Sequence, residues 1–239
     1  MAPLTKYRNH PYNLATPKTP KTKVEKTPAI NTDFICSLCI LPAQIWNIMD
    51  KQQQIISTAL SLFYKKGIHA VGINEILAVS GIAKKTLYKH FESKDALICA
   101  CLVSRDICFN AWLKKICIQP SAMLVAQAIF AGLKKWINNE VSELGCFNGC
   151  FFINTAAEYP VENDPIAKLC KQHKQANFEI ILSALLETPE FAHNREKAIE
   201  ATQHLLILKE GYICRARVMH DVTVTPPSDN ILKAIVAVS

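Results

Sequence analysis

The segment from Asp50 to Leu97 constrains the fold of this chain more than any other. It holds three apolar patterns of helical spacing, separated by Gly67 and by the short connection Gly81–Ala83. The Asp50 carboxylate can accept the free backbone N–H groups of a first helical turn. Ile56, Ala59, Leu60 and Phe63 then recur at three- and four-residue steps, which places them on one helical face. Lys65 and Lys66 suit the negative end of that helix, and Gly67 predicts its stop. Ile73, Ile76, Leu77 and Ser80 share the face of a second, shorter helix that ends at Gly81. A third opens at Ala83 or Lys84, with Leu87 and Phe91 one turn apart and able to close over Ile76 and Phe63. Helices this short are marginal in isolation. They have to pack on one another, and a tight glycine-containing turn between two of them is helix-turn-helix geometry.

The outer face of the third helix carries Lys84, Lys85, Thr86, Tyr88 and Lys89, followed by His90 and Lys94. A basic, hydrogen-bonding helix face of this kind can lie in a DNA major groove. Charge along the chain agrees. The net charge is +7, and residues 96–239 contribute none of it, with fourteen basic and fourteen acidic side chains. Residues 1–48 carry a net +4 and residues 49–95 a net +3, which is the electrostatic footprint of a nucleic-acid binder.

The run from Asp50 to Leu97, and most closely "KKTLYKHFESKDAL" within it, resembles the DNA-binding domain of TetR/AcrR-type transcriptional repressors. Two positions depart from the family pattern. Gly72 stands where helix two usually begins with Thr or Ser, and Ala83 where Ser often precedes the first Lys of helix three. Each removes a capping hydroxyl. The resemblance implies that Lys84, Lys85, Thr86 and Lys89 reach base edges of double-stranded operator DNA. It implies phosphate contacts for Tyr88, His90 and Lys94. Gly149–Glu158 and Leu205–Ala216 look more loosely like the C-terminal domains of one branch of the same family. That implies a small-molecule effector and a homodimer formed by two helices.

Downstream, helical patterns continue without a strand-period segment of any length. Ser93 caps a long helix to about Lys115, apolar on all sides, and Pro120–Asn138 reads as another, with Ala128 and Gly132 permitting close packing. Gly145–Gly149 is a break, after which a short helix runs to Pro160. Asp164 caps a helix to about Leu186, Asn194 one to about Val218, and Ser228 a last short one. The expected architecture is all-α: residues 49–95 as a three-helix DNA-binding domain and residues 96–239 as a helical ligand-binding and dimerisation domain. Residues 1–48, with six of the twelve prolines and none of the glycines, read as a disordered basic extension. It is either functionally bland or an arm that adds phosphate contacts.

Ligand cavities between helices are mostly apolar with a few placed polar groups. Phe109, Trp112, Phe130, Phe151 and Phe178 are the candidate apolar lining, and Asn154, Glu158 and His173 the candidate polar groups. The same rings would equally fill a helical core. For the dimer interface the candidates are Leu205, Leu208, Tyr212, Ile231 and Ile235. The apolar residues of the penultimate helix occupy more than one stripe, and the last helix is too short to stand alone.

Ten cysteines are best explained as reduced thiols of a cytoplasmic protein, because the first 30 residues lack the apolar core of a secretory leader. Cys36 and Cys39 form a Cys-x-x-Cys pair without a second pair at zinc spacing. Cys146 and Cys150 are four apart and open to a redox role, and Cys170 and His173 have metal-like spacing without further ligands. No metal, cofactor or membrane span is expected. Nucleophile elbows, phosphate loops and His-Glu-x-x-His are missing from the sequence. A ligand-controlled repressor is therefore the leading expectation. A constitutive DNA-binding protein and a helical enzyme with an incidental basic motif remain as alternatives.

Overall fold

The computed structural model describes residues 50–219 and 223–237, and the expected basic extension, with Cys36 and Cys39, lies outside them. The described residues form nine α-helices and one 3-10 turn, without a strand. The first three helices are α1 (Lys51–Lys66), α2 (Ile73–Ser80) and α3 (Lys84–His90). Asp50 Oδ1 accepts the Gln52 N–H at 3.5 Å and starts α1. Gly67, at φ 90°, closes it by donating its N–H to Phe63 O. Gly81 ends α2 in the left-handed conformation, at φ 67°. Neither Gly72 nor Ala83 offers a side-chain cap, so α2 and α3 begin without one. Packing compensates. Ile55, Phe63, Ile76, Leu87 and Phe91 are buried together, and Gln54 Nε2 donates to Ser80 O at 3.0 Å, tying α1 to the end of α2.

The remaining helices are α4 (Lys94–Cys117), α5 (Ala122–Ile137), α6 (Phe151–Glu158), α7 (Pro165–Leu186), α8 (Arg195–Met219) and α9 (Asp229–Val236). Ser93, Ser121, Asp164 and Asn194 cap α4, α5, α7 and α8 through side-chain oxygens. Helix α4 is the axis of the molecule and packs on α1, α5 and α7. Long and apolar enough by composition alone to cross a membrane, it instead encloses Leu97, Leu102, Phe109, Trp112 and Leu113 among its neighbours. Helix α5 approaches it closely at Gly132, where an added Cβ would lie 2.9 Å from Ile116 Cδ1 and 3.0 Å from Trp112 Cζ2.

Between α5 and α6 the chain doubles back through Asn139, at φ 61°, whose side chain accepts the Phe147 N–H at 2.7 Å. The 3-10 turn Ser142–Leu144 lies in this segment. The eight described cysteines are thiols, and no disulfide forms among the described residues. Cys101, Cys108 and Cys117 are core residues, and burial pushes the Cys117 thiol up to about 12. Cys146 is exposed whereas Cys150 is buried and accepts a 3.4 Å hydrogen bond from Lys174 Nζ.

Candidate nucleic-acid interface and effector region

The α3 face follows from one buried residue. Leu87 is fully buried, which turns Lys84, Lys85, Tyr88 and Lys89 to solvent. Tyr88 is 45% exposed, so its ring and hydroxyl both lie on the outer face of α3. Thr86 and His90 are half-buried, and the His90 ring leans on Phe91 at 6.4 Å between centroids. Lys94 departs from expectation. Its ammonium turns inward, donating to Ile68 O at 2.7 Å and lying 5.7 Å from the Phe63 ring centre. The resemblance implies a phosphate contact for Lys94, whereas in this DNA-free fold its ammonium bonds the carbonyl of the α1–α2 loop.

That loop is held from the other side as well. Glu158, the last residue of α6, accepts the backbone N–H of Ile68 at 2.8 Å and of His69 at 2.6 Å. Its carboxylate also pairs with His69 Nδ1 at 3.0 Å, and the His69 ring stacks on Tyr159. Gly67 lets the loop come this near, since a Cβ there would sit 3.3 Å from Glu158 Oε1. Farther back on α1, the Tyr64 hydroxyl donates to Gly149 O at 2.6 Å and accepts the Asn148 N–H at 3.0 Å. Glu158 and Tyr64 therefore fasten the α1–α3 trio to the segment around α6.

Comparison with known proteins bears on the same residues. The profile described as bacterial regulatory proteins, tetR family, matches residues 55–101, which span most of α1, all of α2 and α3, and the start of α4. An uncharacterised HTH-type transcriptional regulator of Bacillus subtilis strain 168, YerO, is 47% identical over 49 residues, 20% of this chain and 17% of that protein. The crystal structure of SCO4454, a TetR-family transcriptional regulator from Streptomyces coelicolor, superposes with a TM-score of 0.60 at 25% identity. The match covers 77% of this chain and 88% of that one. Residues 55–101 are thus a DNA-binding domain of the tetR family, and the fold of the described chain is that of TetR-family transcriptional regulators. Its α1–α3 trio is the DNA-binding helix-turn-helix domain of that family. A further relative, the HTH-type regulator encoded in the lacX 3′ region of Lactococcus lactis, is 25% identical over 54% of this chain and 65% of its own length. The chain thus spans less than two thirds of either curated relative.

The residues expected from the sequence to line an effector pocket separate into three groups. Phe109, Trp112, Phe130 and Phe151 are buried and pack on other rings: Phe109 lies 5.2 Å from Trp112 and 5.7 Å from Trp136, and Phe130 6.2 Å from Tyr212. His173 joins them, stacked on Phe152 at 3.5 Å. Its Nδ1 donates to Asp106 Oδ1 at 2.6 Å while Asn177 Nδ2 approaches Nε2, the network of a neutral imidazole. Burial holds the imidazole down to about 4 against the Asp106 bond, which favours protonation. Cys170 and His173 gather no further candidate ligands, and no group of three or more His, Cys, Asp or Glu side chains that could hold a metal forms among the described residues.

Asn154 and Phe178 are only half-buried, and Asn154 donates to Asn148 O at 3.2 Å. Glu158, at the end of α6, turns its carboxylate onto the α1–α2 loop, so its place in the expected pocket is corrected: the carboxylate is engaged by backbone N–H groups of the DNA-binding domain. Beside His173 runs a chain of buried charge that the sequence did not single out. Lys209, 1% exposed, donates to Glu210 Oε1 at 2.7 Å, and Lys174 bonds the same oxygen at 2.8 Å. Burial alone would raise the Glu210 carboxyl; the two ammonium groups outweigh it and hold the group down to about 2.

The expected interface residues also divide. Leu205 and Tyr212 are buried within the protomer, and Tyr212 donates its hydroxyl to Val224 O at 3.1 Å. These two are corrected from interface to core, because they lie seven apart on the inner stripe of α8. Leu208, Ile231 and Ile235 line a groove of about 610 Å³ between α8 and α9, together with Ile207, which is 68% exposed. Tyr64 and Arg105 were missed by sequence reasoning. Only their spatial neighbours reveal a role, and those lie between 39 and 85 positions away.

Proposed function

We propose that this TetR-family regulator is a ligand-responsive repressor that works as a cytoplasmic homodimer on double-stranded operator DNA. Residues 49–95 read the DNA, and residues 96–239 dimerise and take up the effector. The observation that carries this reading is the exposed face of α3, with Lys84, Lys85, Tyr88 and Lys89 turned outward by buried Leu87. Dimerisation is supported by the α8–α9 groove, where Ile207 and Ile231 leave apolar surface uncovered. Two recognition helices enter successive major grooves only when their centres lie about 34–36 Å apart. An effector that prefers another separation releases the operator, provided it binds that form more tightly. The Glu158 and Tyr64 contacts are the route by which movement around α6 reaches the DNA-binding domain.

Gel shifts on DNA fragments selected by the protein test the reading. Tyr88→Ala should weaken binding to all sequences alike. Lys85→Ala should also change sequence preference, by about 1–3 kcal/mol for each base that the lysine reads. Lys94→Ala should act differently, lowering the melting temperature because it frees the loop carbonyl of Ile68. Wild-type affinity in a Lys85→Ala/Tyr88→Ala double variant would refute the α3 assignment.

A further inference from the structure

A second cavity, of about 390 Å³, lies between α1 and α4 and is closed at one end by the segment from Leu144 to Asn148. Its lining includes none of Phe109, Trp112, Phe130 and Phe151. Its floor is apolar, formed by Ile56, Leu60, Cys108 and Leu144, and Ser57, Ser61 and Ser104 supply hydroxyl groups. Two of its lining residues, Lys65 and Arg105, are cations, and none is an Asp or Glu.

Arg105 is the unusual member. It is 3% exposed, in the middle of the apolar helix α4. Its guanidinium carbon lies 5.2 Å from the Tyr64 ring centre and 5.5 Å from that of Trp136. One terminal nitrogen, Nη1, donates to Leu144 O at 2.7 Å. The other, Nη2, is buried and has no hydrogen-bond partner. A guanidinium stays charged at any physiological pH. A buried charge with an unused donor is costly, so an anion that completes its hydrogen bonds is strongly favoured there. The nearby Tyr64 hydroxyl does not relieve it, since that oxygen is engaged with Gly149 O and Asn148 N.

We propose that the α1–α4 cleft binds a small amphipathic monocarboxylate, one carboxylate oxygen taking the free Nη2 of Arg105 and the hydrocarbon part lying on Ile56, Leu60 and Leu144. At about 30 Å³ for each water-sized group, the cleft admits about a dozen non-hydrogen atoms. A single unused donor and one apolar floor fit a monoanion with a short chain or ring. Because one wall is α1 and the other α4, an occupant bears directly on the angle between the DNA-binding domain and the rest of the chain. That consequence rests on the regulator reading above; the binding itself does not.

The test uses the full chain without DNA, with octanoate and phenylacetate as probes, 1-octanol and phenylacetamide as neutral counterparts, and inorganic phosphate as a bare anion. Melting temperature and tryptophan fluorescence are the readouts, since Trp136 stands against the Arg105 guanidinium. The carboxylates should bind saturably, about tenfold or more tighter than the neutral compounds, the size of one charge-assisted hydrogen bond. Arg105→Gln should erase that preference. Ser57→Phe, which fills the cleft from α1 and leaves Arg105 in place, should abolish binding even if Arg105→Gln fails to fold. No carboxylate binding, equal binding of the neutral compounds, equal binding of phosphate, or undiminished carboxylate binding by Ser57→Phe would each overturn the proposal. Gel shifts with the same proteins keep the two readings apart. Ligand-free protein that fails to bind any DNA contradicts the regulator reading, whereas intact DNA binding without carboxylate binding contradicts this inference alone.

Discussion

At the scale of single residues, His173 shows how a buried polar group acquires its state from its surroundings. The ring is stacked on Phe152 and keeps a neutral imidazole because the interior solvates charge poorly. An unfolded chain protonates the same ring near pH 6.5. With the folded value near 4, the unfolded state binds more protons between those limits, so stability falls as pH drops from about 6.5 to 4. The contribution is complete above pH 6.5 and is on the order of 3 kcal/mol. Glu210 adds a second acid window. Held down to about 2, its stabilisation is complete above the unfolded value near 4.5 and disappears as pH falls towards 2. Urea denaturation of wild type at pH 7.5, 6 and 5 should show the first decline, and His173→Phe should show little of it. Parallel profiles for the two proteins would count against a neutral buried His173.

Among elements, the junction of the α1–α2 loop with α6 decides most. One carboxylate satisfies two backbone N–H groups, at Ile68 and His69, and Ile68 is itself buried. Removing the carboxylate leaves donors without partners, which costs about 1–3 kcal/mol. Glu158→Ala should therefore lower stability by that amount and speed hydrogen exchange at the Ile68 and His69 amides. Unchanged exchange there would mean that the loop is held by Lys94 and packing alone. Helix starts, by contrast, are local matters. Asp50, Ser93, Asp164 and Asn194 were recognisable as caps because a capping oxygen bonds a backbone N–H only two or three residues ahead.

For the whole molecule, the question is what covers the α8–α9 groove. Leu205 and Tyr212 already serve the protomer's own core, so the proposed dimer rests on the apolar lining of the groove, Ile207, Leu208, Ile231 and Ile235. In the proposed homodimer, a twofold contact would bury this same patch from both chains. Ile207→Glu or Ile231→Asp should give a monomer by light scattering, with each DNA-binding domain still folded and tight operator binding abolished. A wild-type monomer at micromolar concentration would contradict the dimer. The same scale separates what a linear chain can disclose from what it cannot. The all-helical class, the helix boundaries to within a few residues, and the helix-turn-helix with its basic outer face were legible in the order of residues. Those depend on spacing, capping and stop residues, all of which act over one or two helical turns. Packing in three dimensions assigned Glu158 to the DNA-binding domain, turned Lys94 inward, put Leu205 and Tyr212 in the core, and left Arg105 with an unused donor beside a cleft. Side chains of these kinds suit several neighbourhoods equally well. What each one does is fixed by partners brought close through folding, such as Ile68, which lies ninety positions from Glu158 along the chain.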